Sequence, residues 1–568
     1  MEKQSTAKGF SFLGVAGITS KLLAVLYVPV LTLILGNIGN GIYNAGYMMY
    51  LLVFVITNSG VPVAISKLVS EQIALSDYEA SYKTLKISGT VLLITGTLTS
   101  ILTAVFAKEF ATIIKWPEAY MTILALSPTM FFTAISCTFR GYFQGRSNMK
   151  PTSISQVIEQ AVNSVLTIAF AYIMFYYGAN HAVLAGIINP DEIKLEAVKY
   201  AAAGGTVGTS VGALVSAIYL SITFFSSKEH IKDEIHLYQT DKKSKYTLGL
   251  ILRKIFEYAV PITIGQIAIY SAGLVDLRFI KERLMVGGFG VNEASALFGV
   301  FSTQYQKVIF IPLALATALS VAIIPAISSA AAIGDRKLLR KKIVGSLRTI
   351  LMITVPAAMG MAVFADPIIR ILFPRNPQGA DLLMMGSWVL IPIAFVSTQT
   401  AILQAMGKTY LPTKHMIMGL VIKIFINYNL VSIGFINIKG AVLGSGLCFL
   451  FTGYLNYRAI KKATGFNVKY NRLIRRPLSV SILMGIISWI VYKGFYIISE
   501  YVLKGDYIHI AVSGFVGIFA GALSYFVLMI MTNGIKAEDI LAFPKGYKIL
   551  TFVNKFPMLK KKLTISIE

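Results

Sequence analysis

The feature that most constrains this chain is a series of apolar runs, each long enough to cross a lipid bilayer. A helix needs about 20 mostly apolar residues to span the hydrocarbon core of a membrane. Runs of that kind recur from Phe10 to about residue 532, and only 14% of the 568 residues are charged, compared with about 25% in soluble domains. A soluble core could not bury this much apolar surface. The sequence therefore predicts an all-α, polytopic membrane protein.

We predict fourteen transmembrane spans. The first run, from Phe10 to about Leu35, exceeds the apolar core of roughly 7–15 residues found in signal peptides. No small-residue cleavage site follows it, so we interpret it as a retained span. The fourteen spans cover residues 10–35, 43–65, 87–107, 120–140, 151–178, 200–226, 255–277, 297–330, 343–366, 382–406, 412–433, 440–458, 477–499 and 508–532.

The distribution of the basic residues predicts the orientation. The chain carries 52 Lys and Arg residues against 26 Asp and Glu, a net charge of +26. With these spans, 37 of the basic residues fall on the side of the N-terminus, 12 on the other side and three inside spans. Because cytoplasmic loops are enriched in Lys and Arg, we expect both termini in the cytoplasm and the protein in the cytoplasmic membrane. The charge is spread over membrane loops, where it attracts anionic lipid, so no nucleic-acid partner is expected.

The organisation of the spans suggests a repeat of six plus six. VPVAISK (61–67) is echoed by SVAIIPA (320–326), and a Gly-to-Pro junction recurs after spans four and ten. Transporters often build two-fold architectures from such repeats. We predict a first lobe over 1–226, a cytoplasmic linker over 227–254, a second lobe over 255–460, and two further spans with a basic tail over 461–568. The two cysteines, Cys137 and Cys448, lie in or beside spans and exclude a disulfide framework.

Three lysines lie inside predicted spans. Lys21, Lys307 and Lys423 are each about 15 Å from a span end, near the middle of a core about 30 Å thick. We find no carboxylate at matching depth, because Asp276 falls near the outer end of span seven. Intramembrane charges are costly and functional by default, so the three lysines predict a cationic cleft for an anionic substrate. The alternatives are snorkelling or local pairing for Lys21, and pairing of Lys307 with Asp276 or Glu282. For Lys423 the alternatives are a bond to broken-helix carbonyls and the gating of coupling.

A second group of charges flanks the junction of spans four and five. Arg140 and Glu159 fall on adjacent antiparallel helices near the cytoplasmic side, so we predict an ion pair that holds a gate; direct contact with substrate is the alternative. Asp276 is likewise assigned to a gating or structural role.

Four stretches resemble one known family. They are RGYFQGRSNMKPTSISQVIEQ (140–160), GNIGNGIYNAGYMMYLLVFVITNSGVPVAISKLVSE (36–71), PITIGQIAIYSAGLVDLRFIKERL (261–284) and ILQAMGKTYLPTKHMIMGLVIKIFINY (402–428). They are similar to the stage V sporulation protein B and polysaccharide-exporter families. These belong to the multidrug/oligosaccharidyl-lipid/polysaccharide (MOP) flippase superfamily, together with the MurJ-type lipid II flippases. The resemblance covers about residues 10–460.

The resemblance bears on the three lysines unequally. Lys423 stands at a position that is usually basic in the family, and Lys21 matches an earlier basic position. Lys307 matches no family charge, so its role rests on its depth alone. Many relatives carry an arginine just before the span-one proline, where residues 27–29 of this chain read YVP.

The junction itself is predicted to be a cytoplasmic hairpin. Gly141 and Gly145 would allow a tight turn, and Pro151 would begin span five where no backbone donor is needed. Arg140, Arg146 and Lys150 could bind phosphates that arrive from the inner leaflet. A positive-inside loop with a polar pair would contain most of the same residues.

The resemblance implies the fold and the function that we expect. Two six-helix lobes would form an inverted V, with two C-terminal helices that could hold a lipid tail. The protein would be an alternating-access flippase and not an enzyme. Its cargo would be a lipid-linked oligosaccharide pyrophosphate, with lipid II, the peptidoglycan precursor, as the first choice.

Alternatives remain for the function. The cargo could be another undecaprenyl-linked unit, from teichoic acid, capsule or spore cortex, and the role could be vegetative or in sporulation. A multidrug/cation antiporter of the same superfamily would need intramembrane carboxylates facing its substrate. A membrane glycosyltransferase would need paired carboxylates or clustered histidines, and the five histidines do not cluster. No cofactor is expected, and coupling to H⁺ or Na⁺ is left open. Membrane lipids and the cell-wall synthesis machinery are the expected partners.

Overall fold

The computed structural model describes residues 6–58, 60–237, 246–322, 324–468, 470–502 and 505–535, with 547 and 550–551. Every regular element in these ranges is helical, which confirms the predicted all-α class. The helices are α1 (Thr6–Asn58), α2 (Val61–Ala74), α3 (Tyr78–Val105), α4 (Ala107–Ile113), α5 (Tyr120–Gly145), α6 (Lys150–Leu184), α7 (Pro190–Ser226), α8 (Lys228–Leu237), α9 (Leu248–Val286), α10 (Val291–Gly299), α11 (Gln306–Ala322), α12 (Ile324–Ile333), α13 (Arg336–Val363), α14 (Ala365–Leu372), α15 (Ala380–Gly386), α16 (Leu390–Ala405), α17 (Tyr410–Leu430), α18 (Lys439–Thr464), α19 (Tyr470–Val502) and α20 (Asp506–Met531).

The number of membrane spans differs from the predicted fourteen. Within the described ranges, ten helical segments are long and apolar enough to cross a membrane. One of them runs over 22–74, which takes in residues 22–35 of the first predicted span and all of the second. Within α1 the two spans are separated by a break at Gly36, where φ is 61°. Glycine has no Cβ and adopts this backbone conformation without strain. The predicted spans 297–330, 412–433 and 440–458 fall on α10–α12, α17 and α18, which are not among the ten. The count of fourteen is therefore not confirmed.

The chain forms two compact units. The first comprises Met1–Thr303 and Leu420–Ala441, and the second comprises Gln304–Gly419 and Val442–Glu568. This division does not follow the predicted lobe boundary after residue 226. Helix α9 and most of α17, which the repeat assigns to a second lobe, pack within the first unit. The repeat of six plus six stays a prediction.

The core of the first unit includes the segment that was expected to be a linker. Ile65 and Val69 of α2 pack with Tyr142 of α5 in one buried cluster, and Ile231 of α8 belongs to the same cluster. Residues 228–237 of the predicted linker therefore form a docked helix, because Ile231 supplies an apolar anchor. Residues 238–245 of that linker lie outside the described residues.

The second unit has its own core and a wide apolar exterior. Ile327, Ile343 and Ile402, from α12, α13 and α16, lie in one buried cluster. Along α19, large apolar side chains such as Ile486 and Ile490 are exposed. On a helix of membrane length, an exposed apolar face is suited to contact lipid.

Candidate functional site

Arg140 joins three helices of the first unit. Its Nη2 lies 2.6 Å from Oε2 of Glu159 on α6 and donates to Oγ of Ser216 on α7 at 2.9 Å, while its Nε donates to Oγ of Ser155 at 3.0 Å. The Arg140 and Glu159 side chains are 17% and 30% exposed. The predicted ion pair is therefore present. Its role as a gate stays a prediction.

The hairpin between α5 and α6 uses its glycines for packing and not for the turn. Gly145 is the last residue of α5, and a Cβ there would lie 2.7 Å from Cβ of Val69 and 2.8 Å from the Ser66 carbonyl oxygen. The positive φ of the turn belongs to Ser147, at 57°. The prediction that Gly145 makes the turn is wrong, because the close approach of α2 is what excludes a side chain. Pro151 is the second residue of α6, where no backbone donor is needed, as predicted.

Arg146 is not available to phosphate. Its guanidinium pairs with the Glu234 carboxylate of α8 and donates to the Tyr142 hydroxyl at 3.0 Å, and its side chain is only 6% exposed. Burial lowers the pKa of Arg146, but Tyr142 and Glu234 offset this effect and the pKa is raised. The expected phosphate contact is therefore replaced by a bond that fastens α8 to α5.

Lys423 has a carboxylate partner deep within the first unit. Its Nζ lies 2.7 Å from Oδ2 of Asp276 and donates to the Ala272 carbonyl oxygen at 2.9 Å. The Asn427 amide donates to Oδ1 of Asp276 at 2.9 Å. Both charged side chains are only 3% exposed. This cluster, the Lys423–Asp276–Asn427 triad, joins α17 to α9.

The triad corrects the prediction that no carboxylate lies at matching depth. The predicted span seven ends at 277, but α9 continues to Val286, so Asp276 lies about 15 Å from the end of the helix. The charge of Lys423 is therefore neutralised in this structure. Lys423 also binds a backbone carbonyl, but α9 is unbroken at Ala272, so this is not the predicted bond to the carbonyls of a broken helix.

Of the other two lysines, the structure describes the side chain of Lys307 but not that of Lys21. Lys307 is the second residue of α11 and is half-buried in the second unit. Lys21 belongs to α1, but its side chain lies outside the described residues. Lys307 and Lys423 belong to different units, and the cationic cleft formed by the three lysines stays a prediction. Asp276 and Glu282, suggested as partners of Lys307, pair with Lys423 and Arg278.

Two groups of contacts that sequence reasoning did not identify fasten α9 to the N-terminal helices. The first, which we call the first latch, involves the start of α9. Nζ of Lys254 lies 3.6 Å from Oε2 of Glu71, and the Tyr258 hydroxyl donates to Oε1 of the same carboxylate at 3.3 Å. Nζ of Lys67 lies 3.8 Å from the centre of the Tyr258 ring.

The second latch lies near the other end of α9. Nζ of Lys281 lies 2.9 Å from Oε2 of Glu118 and 4.2 Å from the centre of the Trp116 ring. Nε1 of Trp116 donates to the Leu277 carbonyl oxygen at 3.2 Å. Lys254 and Lys281 are 27 residues apart on one helix, or about 40 Å. The two latches therefore lie at opposite ends of a membrane-length helix.

An aromatic ladder runs along α1 inside the first unit. Tyr43, Tyr47, Tyr50 and Phe54 follow helical spacing, with successive ring centres 6.1, 5.6 and 5.9 Å apart. The spacing YNAGYMMYLLVF was available in the sequence, but aromatic residues at helical spacing usually indicate core packing. The structure adds the ring-to-ring contacts along this face of α1.

The described residues contain no group of three or more His, Cys, Asp or Glu side chains that could hold a metal ion. Coupling to H⁺ or Na⁺ stays an expectation.

A helical bundle with a charge pair buried between membrane-length helices defines the class, a multi-pass membrane protein. Among solved structures, the lipid II flippase MurJ in its inward closed conformation has a TM-score of 0.60 at 14% identity, covering 92% of this chain and 98% of that chain. An inward-facing multidrug resistance MATE family transporter of the MOP superfamily has a TM-score of 0.58 at 15% identity, covering 78% and 98%. At these identities the likeness establishes the fold.

The family follows from the sequence. The chain belongs to the polysaccharide biosynthesis protein family, whose family model matches residues 6–331. Stage V sporulation protein B of Bacillus subtilis is 26% identical over 552 residues, which is 96% of this chain and 98% of that protein. Lipid II flippase MurJ of the same organism is 26% identical over 498 residues, or 84% and 87%. The resemblance drawn from the four sequence stretches is thereby confirmed.

Proposed function

We propose that this protein is an alternating-access flippase that moves a lipid-linked oligosaccharide pyrophosphate from the inner to the outer leaflet of the cytoplasmic membrane. Lipid II is the first candidate cargo. Both termini would lie in the cytoplasm, as the excess of basic residues on that side indicates. The first latch would then be cytoplasmic and the second latch would face outward.

The observation that carries the transport mechanism is the presence of polar contacts at both ends of α9. Each latch consists of one ion pair and one hydrogen bond, with a lysine over an aromatic ring. At the first latch, Lys254 and Glu71 are 27% and 35% exposed, so water can replace their pair at small net free energy. At the second latch, Lys281 is only 4% exposed, so opening it requires water or cargo to solvate the lysine. We propose that the transport cycle opens one latch while the other stays closed. Both latches are formed in this structure.

The cargo class is supported by the relatives. MurJ is named as a lipid II flippase and matches most of both chains, and the family is named for polysaccharide biosynthesis. An anionic pyrophosphate would be recognised by intramembrane cations, and Lys307 and Lys21 stay our predicted contacts. Lys423 could contact the pyrophosphate only if the cargo displaced the Asp276 carboxylate from it.

The antiporter alternative is less well supported. It requires intramembrane carboxylates that face a cationic substrate, whereas Glu159 pairs with Arg140 and Asp276 pairs with Lys423. Both acids are therefore already compensated. An enzymatic role has no support from the relatives, which are named as flippases and transporters.

The function can be tested in reconstituted vesicles. Vesicles with and without the purified protein would contain a fluorescent undecaprenyl-pyrophosphate-linked sugar, and its appearance in the opposite leaflet would be measured with an impermeant quencher. A fluorescent phosphatidylethanolamine is the matched control, because it lacks the pyrophosphate and the sugar.

We expect the protein to accelerate translocation of the pyrophosphate-linked lipid but not of the control lipid. Equal rates in protein-containing and empty vesicles, for lipid II and for teichoic or capsular precursors, would contradict the proposal. Proton-driven export of a cationic dye by the same vesicles would favour the antiporter.

A further inference from the structure

The second unit contains a cavity that the transport function does not explain. It has a volume of about 430 Å³ and lies where α13 and α19 begin. Its lining includes Lys337, Arg340, Lys341 and Arg472, with Val468 and Leu473 among its apolar residues. Small-molecule sites have typical volumes of about 300–1,000 Å³. The cavity is therefore large enough to bind a lipid headgroup.

The charge of the cavity is not compensated. Within the described residues, none of these four basic side chains forms an ion pair with a carboxylate. The nearest acid in sequence, Asp335, caps α13 by accepting the backbone N–H groups of Lys337 and Leu338 at 2.9 and 3.0 Å. Four cations that line one cavity and have no carboxylate partner among the described residues favour an anionic ligand.

The cavity wall is held in place by a hydrogen bond and a cation–π contact. The Tyr457 hydroxyl donates to Oδ1 of Asn467, another lining residue, at 2.5 Å. The Arg340 guanidinium lies 5.8 Å from the centre of the Phe466 ring. These contacts position the loop before α19 and one of the four cations, so less order must be imposed when a ligand binds.

The position of the cavity indicates which anion it receives. Helices α13 and α19 are both long and apolar enough to span a membrane, and both begin at the cavity. The cavity therefore lies at a membrane surface, on the cytoplasmic side in the predicted topology. Further along α19, the side chains of Leu483 and Ile486 are exposed. Leu483 is ten residues beyond Leu473, about 15 Å farther along α19, and falls within the predicted span 477–499, where acyl chains lie.

We propose that this cavity binds the phosphate headgroup of an anionic phospholipid of the surrounding leaflet. Arginine forks and lysine ammonium groups both bind phosphate oxygens, and basic pockets between membrane helices on the cytoplasmic side are suited to anionic headgroups. The acyl chains would follow the exposed face of α19. The lipid would be a resident ligand of the second unit and not the transported cargo, so the proposal does not depend on the flippase function.

The binding can be measured on the purified full-length protein in a neutral detergent. Dioleoyl phosphatidylglycerol or dioleoyl phosphatidylcholine would be titrated in, and bound lipid would be counted by native mass spectrometry. The test variant is Arg340→Gln with Lys341→Gln. The matched control is Arg336→Gln with Lys342→Gln, which removes the same charge from the same helix at exposed positions that do not line the cavity.

We expect wild-type protein to bind phosphatidylglycerol in preference to phosphatidylcholine. Each basic residue near an anionic lipid contributes enough that removing two should weaken binding by about 30-fold. Arg472→Gln, on the other helix, should weaken it by about fivefold. The control variant should bind as the wild type does.

Three results would overturn the proposal. Equal loss in the control variant would show a diffuse electrostatic effect without a site. If millimolar inorganic phosphate displaced phosphatidylglycerol, and the protein bound the lipid no more tightly than the free ion, the ligand of the cavity would be a soluble phosphate compound. Equal binding of the two lipids by the wild type would show that the cavity does not select an anionic lipid. It would favour an acidic cytosolic protein as the partner of this basic surface. Because all substituted residues are exposed, misfolding of a variant would appear as a changed elution volume and not as selective loss of one lipid.

Discussion

Removing one member of the Lys423–Asp276–Asn427 triad should destabilise the protein more than removing both charges. In Lys423→Met, the Asp276 carboxylate stays buried and keeps only the Asn427 amide as a hydrogen-bond donor. Breaking one partner of a buried ion pair typically costs about 3–5 kcal/mol, because an uncompensated charge is left in a low dielectric. In the double variant Lys423→Met with Asp276→Asn, no charge is buried, and we expect a loss within about 1 kcal/mol.

The measurement is the free energy of unfolding in mixed micelles, followed by tryptophan fluorescence, for the wild type, both single variants and the double variant. Arg370→Met is the control, because its ion pair with Asp366 is more than half exposed on both sides. Exposed pairs contribute about 0–1 kcal/mol. The unfolding free energy lost in Lys423→Met, minus that lost in Arg370→Met, isolates the effect of burying an ion pair.

The same variants separate a structural role from a substrate role. If Lys423 only holds α17 to α9, the double variant should be stable and should still transport. If Lys423 also contacts the pyrophosphate, as its depth led us to predict, the double variant should be stable but inactive. A single variant as stable as the wild type, or a double variant no better than the worse single one, would refute the reasoning from burial.

Other predictions concern the hairpin and the topology. Exchanging the charges of Arg140 and Glu159 should recover part of the activity that either single reversal loses, because the pair is re-formed; a double exchange no better than the worse single change would show that the pair is not what matters. Gly145→Ala should lose about 1–3 kcal/mol of unfolding free energy in micelles by overpacking against α2, whereas Gly345→Ala, which meets nothing within 4 Å, should gain up to about 1 kcal/mol; equal effects would argue against the close packing. A cysteine at Ile188, which is 89% exposed, should react with an impermeant maleimide in intact cells; labelling only after permeabilisation would reverse the predicted orientation.

Several features of the site could be predicted because they depend on neighbouring sequence. Arg140 and Glu159 lie on the two sides of one hairpin, only 19 residues apart. Two antiparallel helices joined by a short turn therefore place them close together. Pro151 could be placed at a helix start because its missing N–H is harmless only there. The partner of Lys423 could not be found in this way, since Asp276 is 147 residues away and a misplaced helix end put it at the wrong depth.

Local signals also failed where a residue has two physical uses. Glycine serves both for a positive φ and for close packing, and Gly145 was assigned the first when α2 requires the second. Arg146 looked like a free loop cation because its partner, Glu234, belongs to a segment that was interpreted as a linker.

The sequence alone determined that this is a polytopic, all-helical membrane protein with a strong bias in loop charge, and its motifs determined the family. Those properties depend on composition and on patterns within about 30 residues, which a bilayer converts directly into helices. Only the tertiary structure decided which charges are neutralised, which ends of α9 are latched, and where uncompensated cations surround a cavity. The physical reason is that, in a low dielectric, the energy of a charge depends on which groups lie within a few ångströms of it. That set includes residues such as Glu118 and Lys281, which are 163 positions apart.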